Sequence, residues 1–125
     1  MSQHPPARLT FPPDRRLRRP EEFQRVYDLK TAAGDGRLRI FAALNGSERT
    51  RVGSSVSKKH GNSVVRHHLK RLLREAYRLS QLQLPEGWDM ILIPQQGVVA
   101  SVSEYQESLA QICQRLRKRI EAKSP

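Results

Sequence analysis

The chain carries a single cysteine, Cys113, among 125 residues. One thiol makes no internal disulfide and no cysteine-based zinc framework. That usage predicts a reducing compartment, the cytoplasm. Long apolar runs are missing as well. No stretch approaches the roughly 20 residues of a membrane-spanning helix, and Met1–Arg8 holds no apolar core of the secretory kind. Acids are scarce, 12 against 23 Lys and Arg. The few that exist do not form an acid–base pair: Glu21 with Glu22, and Glu104 with Glu107, sit where the first turns of helices favour carboxylates. His4, His60, His67 and His68 lack metal-ligand spacing with Cys, Asp or Glu. No catalytic set and no metal site are therefore expected on the protein itself. A Walker loop is excluded too, because Gly61-Asn62-Ser63 lacks the required glycine spacing.

What is there is positive charge. The net charge is +11, which favours a polyanionic partner through counterion release. Nucleic acid is the first expectation; an anionic membrane surface ranks far behind it. The length suits one domain. Residues 1–14 hold four prolines, which block a regular helix, and read as an extended, flexible arm. A single domain over 15–121 and a short tail, 122–125, complete the division. Hydrophobic residues make up 37% of the chain, but they fall in periodic runs, which argues against wholesale disorder.

Pro20-Glu21-Glu22 opens a helix running to about Lys30, with Phe23, Val26 and Tyr27 on one face. Leu38, Ile40, Ala42 and Leu44 alternate with Arg37, Arg39, Phe41 and Ala43, the pattern of a strand with one aliphatic side. Asn45-Gly46-Ser47 suggests a hairpin into a second strand, 51–57, with Val52 and Val56 inward. Asn62 or Ser63 caps a helix to about Ser80, whose apolar stripe is Val65, Leu69, Leu72, Leu73, Ala76 and Leu79. Trp88–Pro94 reads as a buried strand. Ser103 and Gln106 resemble a capping box before a last helix with Tyr105, Leu109, Ile112, Leu116 and Ile120 on its stripe. The fold class is α+β, a two-layer sandwich in the order α-β-β-β-α-β-α, with a four-stranded sheet packed against helices.

Two groups of residues carry chemistry. Between Lys58 and Arg78 stand seven Lys or Arg and one acid, Glu75. Such density costs helix stability by repulsion and makes sense against a polyanion. Arg66, Lys70, Arg74 and Arg78, joined by His67 and Arg71, cluster roughly opposite the apolar stripe. Lys58 and Lys59 precede a helix N-terminus, a natural phosphate position. The second group is Phe23, Tyr27 and Phe41. Spacing alone favours Phe23 and Tyr27 as core anchors. Phe41 lies on the arginine side of its strand, and rings beside arginines suit unpaired bases.

The run Arg51-Val52-Gly53-Ser54-Ser55-Val56-Ser57-Lys58-Lys59-His60-Gly61-Asn62-Ser63-Val64-Val65-Arg66, continued by Leu69-Lys70-Arg71-Leu72-Leu73-Arg74-Glu75, resembles the signature of the bacterial ribonuclease P protein family. The likeness extends over about residues 9–120 and includes Glu21–Tyr27. It implies a left-handed βαβ crossover, where general rules favour the right-handed form. It implies a ribonucleoprotein endonuclease that removes the 5′ leader of precursor tRNA, with hydrolysis carried by the RNA subunit and Mg²⁺ bound mainly by that RNA. The implied partners are the ribonuclease P RNA and precursor tRNA, with no membrane and no protein partner required. Phe23, Tyr27, Phe41, Lys58 and Lys59 match the leader-binding positions. Arg66, His67, His68, Lys70, Arg71 and Arg74 match the helix that faces the catalytic RNA. The family's usual Arg-Asn-Arg reads Arg66-His67-His68 here, which gives up a permanent cation and its forked donors. The competing reading is a basic structural RNA-binding protein of the ribosomal type, without a catalytic role. A helix-turn-helix DNA binder ranks third, because the alternating strands speak against it.

Overall fold

The computed structural model describes residues 10–123. The expected arm therefore lies partly outside the described residues, as do positions 124 and 125 of the tail. The elements are α1 (Pro20–Asp28), β1 (Ala32–Gly34), β2 (Leu38–Leu44), β3 (Arg51–Ser54), α2 (Ser63–Ser80), β4 (Trp88–Pro94) and α3 (Val102–Lys123). This is the α-β-β-β-α-β-α order, an α+β fold with one mixed four-stranded sheet.

The strand order is β1-β2-β4-β3. β2 pairs with both β1 and β4 in antiparallel fashion, and β3 runs parallel to β4. The hairpin expected at Asn45-Gly46-Ser47 is not formed: β2 and β3 are separated by β4. The reason lies in β4 itself. Six of its seven residues are buried and Ile93 is half-buried, and a strand apolar on both faces belongs in the centre of a sheet. β3, shorter than the expected 51–57 run, takes an edge instead. The parallel β3–β4 pair then needs a long crossover, and α2 supplies it.

Each face of the sheet has its own core. Leu38, Ile40, Ala42, Val52, Met90 and Leu92 pack under α2 and α3. On the opposite face Val26 of α1 meets Ala43, Ile91 and Leu17, with Phe23, Tyr27, Phe41 and Ile93 at the margin. One helix thus shields part of the face that the alternation of β2 leaves polar.

Helix ends follow local chemistry. Asn62 caps α2 by accepting from the Val65 N–H at 3.0 Å. Glu22 reaches back to the N–H groups of Arg19 (3.0 Å) and Arg18 (3.2 Å) at the start of α1. The capping box of α3 is Ser101 with Glu104, two residues before the expected Ser103–Gln106 pair. The Glu104 N–H donates to Ser101 Oγ at 3.1 Å, and the Ser101 N–H donates to Glu104 at 3.0 Å.

Candidate nucleic-acid interface

The site begins with the register of β2. Phe41 and Arg39 share the face away from α2 and α3, beside Ile91 and Ile93 of β4. α1 crosses one end of that face and brings Tyr27 edge-on to Phe41, ring centres 5.0 Å apart at 78°. The Arg39 guanidinium stands over the Phe41 ring at 5.1 Å, a cation–π contact. Tyr27 and Phe41 are half-buried and Arg39 is exposed. Of the three aromatics picked out in the sequence, Tyr27 and Phe41 therefore meet, while Phe23 packs on the same small core; each is both a core margin and an accessible edge.

Phe23 packs against Gly53 of β3. A Cβ on Gly53 would come within 2.5 Å of the Phe23 ring and 3.0 Å of Leu17. This glycine is a contact requirement: the missing side chain is the seat of the ring. On the far side of Phe23 lies a cleft of about 360 Å³ between the β3 edge, the segment before α1, and α2. Lys70 and Arg74 of α2 line it together with Arg16 and Arg18, and no acidic residue does so among the described residues.

The helix α2 thus divides its cations. Its buried stripe is Leu69, Leu73, Ala76, Tyr77 and Ser80, rotated from the expected stripe because Tyr77, 1% exposed, enters the core while Val65 stays 40% exposed. The rotation moves Lys70 and Arg74 from the outer face to the cleft. His67, His68 and Arg71 border a separate surface groove with Ser63 and Val64. Arg78 does not join the free cations: its Nε donates to Glu75 at 2.9 Å, and that bond lowers the carboxylate from its ordinary value.

Lys58 and Lys59 are exposed on a single helical turn, Lys58–His60. His60 ties the turn down. The Ser57 N–H donates to its Nδ1 at 3.0 Å, and its Nε2 donates to the Pro94 carbonyl at 2.8 Å, at the end of β4. The turn that carries the two lysines is thereby fixed to the end of β4.

Sequence patterning missed one centre. Asp89 is fully buried within β4. Arg51 grips it with two bonds, 2.9 and 2.7 Å, Asn45 donates at 2.9 Å, and Arg25 lies 3.6 Å away. Arg51 also pairs with Glu22. Arg51 is therefore a structural cation, and Arg39 and Phe41 are what this face offers to a ligand. A lone Asp inside an apolar strand was the available signal, since such a charge needs a partner. Cys113 is buried against Met90, and burial pushes its thiol up to about 12, far from nucleophilic use.

The family model for ribonuclease P matches residues 11–118. The chain belongs to the ribonuclease P protein family. The ribonuclease P protein component of Alkaliphilus oremlandii (strain OhILAs) is 36% identical over 102 residues, which cover 81% of this chain and 90% of that protein. The ribonuclease P protein component of Roseiflexus castenholzii (strain DSM 13941 / HLO8) is 38% identical over 83% of this chain and 84% of its own length. The solved Staphylococcus aureus RNase P protein superposes with a TM-score of 0.70 at 27% identity, covering 85% of this chain and 97% of that one. The Thermotoga maritima RNase P protein shares the fold, with a TM-score of 0.63 at 22% identity over 88% and 98% of the two chains. Membership in the ribonuclease P protein family makes this chain an RNA-binding ribonucleoprotein subunit of tRNA processing.

Proposed function

We propose that the chain binds the ribonuclease P RNA and the single-stranded 5′ leader of precursor tRNA, and so promotes endonucleolytic formation of the mature tRNA 5′ end in the cytoplasm. The observation that carries this reading is the accessible aromatic face: Tyr27 edge-on to Phe41, Arg39 over the same ring, and Phe23 on Gly53 at the adjoining cleft. Unpaired bases stack on such rings without regard to sequence. Lys58 and Lys59, exposed on the turn tied to the end of β4, supply cations for the leader backbone. His67, His68 and Arg71 occupy the other side of α2 and, with the half-buried Arg66, serve the catalytic RNA.

Hydrolysis belongs to the RNA subunit with Mg²⁺. The protein's own donors do not suit that ion, which prefers several oxygen ligands and retained waters. Asp89 and Glu22 are engaged by arginines, and no group of three or more candidate ligands comes together among the described residues. Protein side chains then act by binding and orientation: they hold the leader extended, neutralise its phosphates and align the scissile bond with the RNA's metal site.

The test is a comparison of holoenzyme affinity for precursor tRNA and mature tRNA. Phe41→Ala is expected to weaken precursor binding by about tenfold, the worth of one stacked base, and to leave mature tRNA unchanged. Equal loss for both RNAs would favour a structural RNA-binding protein.

A further inference from the structure

Residues 10–16 fold back onto the body of the protein. The Gln81 side chain donates to the Thr10 carbonyl at 2.9 Å. Phe11 sets its ring edge-on to Tyr77, centres 5.5 Å apart. Arg16 donates from Nε (3.2 Å) and Nη2 (2.8 Å) to the Phe11 carbonyl, and its guanidinium lies over the Phe11 ring at 5.1 Å. At the backbone, residue 16 bridges to Val52, and the Leu17 N–H donates to the Val52 carbonyl at 3.0 Å. Arg16 is thus held at both ends, by the β3 edge and by Phe11.

That arrangement places Arg16 in the cleft with Arg18, Lys70 and Arg74, and with Phe23 at one side. Burial, followed by repulsion from Arg74 and Arg18, lowers the Arg16 guanidinium from its ordinary value. Like charges crowded without a carboxylate are stabilised by an anion. A guanidinium has five N–H donors, and the bonds to Phe11 use two. The rest match the oxygens of a phosphate, which arginine binds in forked fashion.

We propose that the segment Phe11–Arg18 is a further wall of the cleft and that Arg16, with Arg18, Lys70 and Arg74, seats one backbone phosphate of the single-stranded leader, Phe11 being the positioning residue for Arg16. The proposal rests on the leader reading above. It adds a contact from a segment whose prolines suggest only an arm, and it moves Lys70 and Arg74 from the catalytic RNA to the leader.

The experiment uses the full chain assembled with a bacterial ribonuclease P RNA. Binding of precursor tRNA and of the same tRNA without its leader is measured across a salt series. Arg16→Gln is expected to weaken leader-bearing RNA about tenfold, as for one charge-assisted contact. The slope of log affinity against log salt becomes shallower by about 0.7, and leaderless tRNA is unaffected. Phe11→Leu loses part of the same preference, and Phe11→Tyr, which keeps the ring, restores it. If Phe11→Leu fails to fold in thermal melting, Arg16→Gln carries the test, because it leaves the Phe11–Tyr77 contact in place. A leader preference left intact in Arg16→Gln overturns the seat alone, as does an equal loss for leaderless tRNA. A wild-type holoenzyme with no leader preference sinks the leader reading and the seat with it.

Discussion

Gly53 shows how one missing side chain shapes the site. Gly53→Ala puts a methyl group into the Phe23 ring, an overpacking that costs about 1–3 kcal/mol. Urea denaturation is expected to show that loss, together with weaker precursor binding, because the ring at the cleft is displaced. Glu22 gives a pH prediction. Hydrogen bonding from the Arg19 N–H, opposed by burial and aided by Arg18 and Arg51, lowers its carboxyl from the ordinary 4.5. A depressed folded value means that the stabilisation is present above the unfolded value and is lost as pH falls through the folded one. Melting temperatures of wild type are therefore expected to drop below about pH 4.5, and Glu22→Gln is expected to flatten that part of the profile. At this scale the sequence was readable where periodicity applied, as at Ile40 and Phe41. It was not readable where a residue's partner lies far along the chain. Arg51 meets Asp89 across 38 positions, and Tyr77 turns inward because Phe11 waits there.

Among the elements, the turn that carries Lys58 and Lys59 depends on His60. His60→Leu removes both of its ties, to Ser57 and Pro94, worth about 1–2 kcal/mol together. The expected readout is a lower denaturation midpoint, with His60→Gln losing less because its amide still donates toward Pro94. On α2, Arg71→Ala is expected to weaken the ribonuclease P RNA complex and to reduce its salt slope by about one, with leader preference unchanged. An unchanged slope would take Arg71 off the phosphate contacts. Helices α1, α2 and α3 and strands β2 and β4 were legible from apolar spacing and caps. Strand pairing was not, because alternation says which side of a strand is buried and nothing about its neighbour. The turn at Asn45–Ser47 fits a hairpin locally, yet β4 outcompetes β3 for the place beside β2, since only the centre buries both of its faces.

For the whole molecule, a net charge of +11 is distributed with purpose. Several arginines are consumed by structure: Arg51 on Asp89, Arg78 on Glu75, and Arg115 on the Gly34 carbonyl at the outer strand. Others are left for a ligand: Arg39 on the open aromatic face, Arg16, Arg18, Lys70 and Arg74 in the cleft, and Arg71 on the far side of α2. A structural RNA binder needs only the last of these. An aromatic face joined to a carboxylate-free cleft is what a single strand requires, and the family supplies the reaction in which such a strand occurs. The most direct measurement mixes the purified protein with a bacterial ribonuclease P RNA and 5′-labelled precursor tRNA at low Mg²⁺. Cleavage at the mature 5′ end only when protein and RNA are both present is the predicted result. Protein that binds these RNAs and never restores cleavage, even with its native RNA partner, would contradict the account.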